Sequence, residues 1–161
     1  MSKTSRDSTS TFLVDCDFNQ SVDKLVLPPS LKTLKFGEEF NQPVDKLVLP
    51  SSLHTLEFGH KFNQPVDKLV LPSSLHTFKF GEKFNQPVDE LILPQNLKNL
   101  HFAPETDTGD FNQSIDNLVL PQCLETLWLG IGFEQAIDNY IVFPRTLKNL
   151  MFNKFNFTFN K

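Results

Sequence analysis

The sequence is poor in the features that mark most functional classes. It holds two cysteines, Cys16 and Cys123, set about five coils apart in the repeat described below. That separation exceeds disulfide reach and points to free thiols in a reducing compartment. No apolar run approaches the ~20 residues that span a bilayer, and the opening MSKTSRDSTST is too polar for a signal peptide. A cytoplasmic protein with no membrane partner is expected; the Asn156 to Thr158 glycosylation signal would matter only in a secreted chain. The net charge of −4 comes without an acidic or basic block, so nucleic acid is not the expected partner. There is no Gly-rich phosphate loop and no nucleophile paired with a base, so neither catalysis nor a cofactor is expected. No segment sustains a 3.6-residue period over ten residues, which leaves little or no helix.

What the chain does have is phenylalanine, 17 residues of it, and a repeat. Phe18, Phe40, Phe62, Phe84, Phe111, Phe133 and Phe155 are 22 residues apart, except for one step of 27 between Phe84 and Phe111. A period in the twenties marks a solenoid, whose units bury their apolar side only by stacking. In the unit from Phe40, two clusters recur: Val44, Leu47, Leu49 and Leu53, Leu56, Phe58. Each ends in a period-two alternation suited to a short strand, with Pro50 and Gly59 at the corners. The expected fold is mostly β, a right-handed solenoid with two parallel β-sheets. With both long sides at the ~4.8 Å strand spacing it would be a nearly straight rod about 35 Å long.

The expected organisation is a flexible arm over residues 1–9 and one repeat array over 10–161. The array begins with a partial coil at 10–17, has repeats starting at 18, 40, 62, 84, 111 and 133, and ends in a cap at 155–161 whose Phe155, Phe157 and Phe159 alternate. A loop should bulge at residues 104–110, where five extra residues follow Ala103. The last full coil should be distorted, because Phe143 adds a residue before Pro144 and one is lost after Phe152.

The segment LHTLEFGHKFN (residues 53–63) resembles the leucine-rich-repeat consensus, except that Phe62 and Asn63 follow the consensus asparagine position, which Lys61 fills. That shift, with Phe-Asn opening each unit and Leu-Pro-x-x-Leu following, is similar to the FNIP repeat, a 22-residue relative of leucine-rich repeats found in slime-mould and giant-virus proteins. The resemblance covers residues 18–155. It implies a protein-interaction module, in the host cytoplasm if the source is viral. FNIP repeats often follow an F-box, for which this chain leaves no room.

Equivalent positions should stack into columns. Asn19, Asn41, Asn63, Asn85 and Asn112 should form an amide ladder that Glu134 breaks. One outward strand column holds Lys35, Glu57, Lys79, His101, Trp128 and Met151, beside a second that runs from Thr33 to Asn149. Glu125, Trp128, Lys148 and Met151 make the preferred partner surface, because exposed aromatic anchors dominate interfaces. Lys32, Lys35, His54, His76, Lys79 and Lys98 make a candidate basic patch; its two histidines lack a third metal ligand and have lysine neighbours, so no metal is expected. On the other side, Asp23, Asp45, Asp67, Asp89, Asp116 and Asp138 stack without the Gly-rich turns of a calcium roll. A branched stripe of Val26, Val48, Val70, Ile92, Val119 and Ile141 reads equally as good strand formers or as an apolar docking face.

Two functions fit this reading. The first is a noncatalytic leucine-rich-repeat scaffold for protein–protein interaction. The second is a self-assembling homodimer, because the strand around Ser10, Phe12, Leu13, Val14 and Asp15 would present an open edge to a second chain.

Overall fold

The computed structural model describes residues 5–7, 10–105, 108–137, 141–153 and 155–158. Asp138 of the aspartate column, Phe159 of the cap and Thr106 and Asp107 of the inserted loop lie outside the described residues. Among the described residues nine short strands form one sheet in chain order: β1 (Ser5–Asp7), β2 (Thr11–Leu13), β3 (Thr33–Lys35), β4 (Thr55–Glu57), β5 (Thr77–Lys79), β6 (Asn99–His101), β7 (Thr126–Gly130), β8 (Asn149–Phe152) and β9 (Phe155–Thr158). β2 to β8 are parallel, one per coil. No helix occurs among the described residues.

The solenoid is mostly β, but among the described residues only one of its sides is a sheet. Each Val-x-x-Leu cluster opens with a closed turn, as in Leu47 N–H donating to Val44 O at 3.1 Å and Leu69 N–H to Val66 O at 3.1 Å. A second turn closes from Leu53 N–H to Pro50 O, and a third from Phe62 N–H to Gly59 O. Three turns per coil leave a single side straight enough to join a ladder, so the expected second sheet is replaced by stacked turns. The backbone groups there pair within their own coil, which removes the donors a ladder needs.

The core is made of columns. Phe40, Phe62, Phe84 and Phe111 are fully inaccessible, and Phe133 nearly so. Their rings stack nearly parallel with centroids 5.9–6.2 Å apart. Nearer the strands, the His54 and His76 rings are only 5.0 Å apart.

Close stacking fixes glycine at one corner. A β-carbon on Gly59 would lie 2.1 Å from Gly37 O, and one on Gly81 2.1 Å from Gly59 O. Ala103 takes the next place in that column, and its methyl fills the space that Gly109 (φ 141°) and Gly130 (φ 89°) leave by having no β-carbon. The chain rejoins the pattern at Asp110, whose N–H donates to Glu82 O at 2.7 Å as Lys83 N–H does to His60 O at 3.0 Å one coil earlier. The inserted residues are thereby confined to the interval between Ala103 and Asp110.

The N-terminal end of the parallel ladder differs from expectation. Ser5–Asp7 form a strand rather than a loose arm, pairing antiparallel with β2 in the register Ser5↔Leu13 and Asp7↔Thr11. The edge at Ser10, Phe12, Leu13, Val14 and Asp15 is therefore covered by the chain itself and is not open to a second copy as supposed. The backbone groups of β2 find their partner in Ser5–Asp7 of the same chain. Phe12 and Val14 are buried, and Val14 N–H donates to Lys35 O at 2.9 Å. At the other end β9 folds back antiparallel on β8 through Asn153, which adopts φ 48°.

In the last coil the extra residue falls before Val142 rather than at Phe143. Ile137 still packs on the core 22 residues after Ile115, whereas Val142, 23 residues after Val119, takes the exposed place and Ile141 turns to the core. Val142, not Ile141, therefore continues the branched stripe.

Candidate functional site

The outward residues of β3 to β8 meet in register: Lys35↔Glu57, Glu57↔Lys79, Lys79↔His101, His101↔Trp128 and Trp128↔Met151. The Thr33-to-Asn149 column runs beside them in the same registers. Because each three-residue strand has one inward side chain between two outward ones, the face is polar while the core behind it is Leu or Phe. A groove of about 560 Å³ crosses this face, walled by Thr55, Thr77, Asn99, Thr126 and Asn149 on one side and by Lys79, His101 and Trp128 on the other.

The inserted segment reaches over the groove. Glu105 receives Lys79 Nζ at 2.8 Å, tying the loop to the preceding coil. Pro104 O accepts a hydrogen bond from Trp128 Nε1 at 3.0 Å, tying it to the following one. His101 lies beneath, 4% exposed, with its ring parallel to Trp128 at 5.9 Å and 7°. Its Nδ1 sits 3.4 Å from Glu105 Oε1 without an aligned hydrogen bond. Burial, reinforced by the Lys79 charge and opposed by Glu105, lowers the His101 pKa to about 4, so the imidazole is neutral at neutral pH. The Lys79 hydrogen bond holds the Glu105 carboxyl below the usual range.

The candidate partner residues come together, with Trp128 in a different state from the exposed anchor expected. It is half-buried, one face against His101 and its N–H occupied by Pro104. Glu125 and Lys148 form an ion pair, which holds the Glu125 carboxyl low, and Met151 sits half-buried at the C-terminal side of Trp128.

The candidate basic patch is spread over two columns and interleaved with carboxylates. Lys32, His54, His76 and Lys98 follow one another just before the strands, linked through backbone bonds such as His76 N–H to His54 O at 2.8 Å. The His54 and His76 rings stack, and His54 Nδ1 lies 2.6 Å from Ser52 O, a contact that requires the proton on Nδ1. Lys35 pairs with Glu57 at 2.8 Å, Lys79 with Glu105, and Lys98 with Glu125 at 3.8 Å. Among the described residues no three His, Cys, Asp or Glu side chains are placed to hold a metal ion.

The asparagine ladder is built more tightly than reading the asparagines alone shows. Each Asn Oδ1 accepts two bonds from the next coil: Asn63 Oδ1 receives Asn85 N–H and Gln86 Nε2, both at 2.9 Å. The glutamine that follows each asparagine is the missed half of the device. Glu134 does not break the ladder as expected, because its backbone N–H still donates to Asn112 Oδ1 at 2.9 Å and Gln135 Nε2 follows at 3.0 Å. The Pro104 and Glu105 clasp was also missed; its signal was a five-residue excess placed one coil before the single tryptophan.

One parallel strand per coil, a leucine- and phenylalanine-filled core and a polar strand face define a leucine-rich-repeat-like solenoid. Residues 18–61, 62–103 and 111–155 match the FNIP Repeat family, and the chain belongs to it. Among solved structures it is similar to one described as "The crystal structure of CroV588 a novel circular LRR protein structure", with 36% identity and a TM-score of 0.67. That match covers 89% of this chain and 23% of the CroV588 chain, so the present chain matches under a quarter of its relative's length. No curated protein matches it. Among the described residues no helix is long and apolar enough to cross a membrane.

Proposed function

We propose that the protein is a noncatalytic scaffold that binds a partner protein on its strand face, in the groove clasped by Pro104 and Glu105. The observation that carries this reading is the groove itself. Five rungs of Thr and Asn side chains offer a polar floor beside Trp128 and Lys79, which suits an extended segment making hydrogen bonds along the array. Trp128 is held by His101 and Pro104 before any partner arrives, so little side-chain freedom is lost on binding. The exposed free thiols Cys16 and Cys123 accord with a reducing, cytoplasmic setting.

The test is selection of binders from a displayed peptide library on the full chain, followed by affinity measurement on variants. Trp128→Ala and Thr77→Arg are expected to weaken selected peptides by at least about tenfold, because one removes the anchor and the other blocks the floor. Lys32→Glu with Lys98→Glu, outside the groove, should leave affinity within about twofold. Peptides that are lost only with the lysine pair would place binding on the basic column and overturn the assignment to the groove.

A further inference from the structure

Two cavities meet beneath the clasp. The strand-face groove and a second cleft of about 480 Å³, lined by Phe58, Phe80 and Ala103 at the glycine corner, share Glu57, Lys79, His101 and Glu105 in their walls. At that junction three nitrogen groups converge on the Pro104 and Glu105 segment. Trp128 Nε1–H donates to Pro104 O at 3.0 Å and Lys79 Nζ to Glu105 at 2.8 Å. The third, His101 Nδ1, is buried and among the described residues has no hydrogen-bond partner, although Glu105 Oε1 lies 3.4 Å away. A neighbouring carboxylate favours the imidazole tautomer that carries its proton on Nδ1, so this is a donor without an acceptor. Buried donors left unpaired are rare because each costs free energy.

Glu105 is a carboxylate already seated in the site, and it seats imperfectly. Tethered four residues after His101, it reaches the lysine and does not align with the imidazole. Its side chain is 56% exposed, so turning it into solvent breaks one ion pair and exposes little. With Glu105 turned away, the charged side chains that line the groove are Glu57 and Lys79. Glu57 is engaged by Lys35 at 2.8 Å. Lys79 then stands without its counter-ion beside a neutral imidazole N–H, a pair of donors that complements one carboxylate and not a cation.

We infer that the partner segment is acidic: an Asp or Glu side chain of it replaces Glu105 on Lys79 Nζ and His101 Nδ1, while Pro104 O keeps Trp128 in place. Glu105 is an internal competitor, and it sets how tightly the groove binds. This deepens the strand-face reading and rests on it.

Peptides selected on the full chain and lost on Thr77→Arg, hence seated in the groove, test the inference by isothermal titration, with circular dichroism to show that each variant is folded. Each such peptide should hold an Asp or Glu whose change to Asn or Gln weakens binding by about tenfold or more. Glu105→Gln keeps the size of the side chain and removes its charge, and should tighten the acidic peptides by about fivefold or more. Lys79→Met should weaken them by about tenfold and abolish the effect of Glu105→Gln, since the two changes act on one contact. Groove-seated peptides with no essential acid would overturn the inference and leave the groove reading standing, as would acidic ones that Glu105→Gln leaves unchanged or weakens. A selection that yields no binder lost on Thr77→Arg would overturn the groove reading, and the inference with it.

Discussion

Between Phe40 and Phe102 each coil lays its Phe, Asn and Gly on the same positions of the coil before it. From Ala103 to Phe152 the same template is interrupted twice. In the first region the rings are parallel, every asparagine carbonyl receives two donors, and the glycine corners touch backbone to backbone. In the second, a methyl replaces a glycine hydrogen, five residues are inserted, a β-bulge lies between Trp128 and Gly130, and Phe152 meets Phe133 edge-on at 77°. Repetition gives cohesion because each rung satisfies the next. Departure from repetition gives individuality: the only tryptophan sits where copying fails, against the buried His101 at the last rung of the regular region.

The comparison breaks most sharply in the core. Phe62→Ala removes a ring packed between Phe40 and Phe84 and should cost about 4 kcal/mol in urea unfolding, whereas Phe152→Ala, half-buried beside β9, should cost about half as much. Equal losses would show that the irregular end is as tightly packed as the regular coils. Gly59→Ala drives a methyl into Gly37 O and should cost roughly 3 kcal/mol, while Ala103→Gly should change stability by under about 1 kcal/mol.

Acid sharpens the contrast further. Unfolding restores His101 to an ordinary pKa of 6.5 from about 4 in the fold. The unfolded chain therefore binds the extra proton between those values, and stability falls as pH drops from about 7 to 4, by up to about 3 kcal/mol, levelling off below. Glu105 and Glu125, whose carboxyls are lowered by Lys79 and Lys148, lose their contribution only below the usual carboxylate range. His101→Gln should flatten the upper part of the profile, and an unchanged profile would remove His101 as its source.

The smallest effects concern the ladder. Asn63→Ala strands Asn85 N–H and Gln86 Nε2 and should cost about 2 kcal/mol, while Glu134→Ala, at the ladder's end, should cost under about 0.5 kcal/mol. Thermal shifts for the pair, measured side by side, settle the order.

Much of this was legible in the chain. The 22-residue step gives the coil, the Leu-x-x-Leu-x-Phe alternation gives the strand, and equal offsets give the register of Lys79 against His101 and Trp128. The second sheet was misread because Val44 to Leu49 has the same apolar spacing as Leu53 to Phe58; apolar spacing does not reveal that Val44 and Leu47 close a turn. β1 was misread because Ser5–Asp7 carry no apolar signal at all, and backbone pairing alone places them. The site was half legible. Trp128 and Lys79 stood out as outward residues, but the clasp from Pro104 and Glu105 depends on where an irregular loop returns, which no periodicity encodes.

By itself, then, the sequence determined the coil length, the order of the columns and the identity of each rung, because a repeated pattern of apolar side chains admits only one way to stack. The tertiary structure alone decided how many sides of the coil became sheet and what lies over His101. Those depend on competition between turns and ladders for the same backbone donors, and on where the inserted loop returns with Pro104 and Glu105.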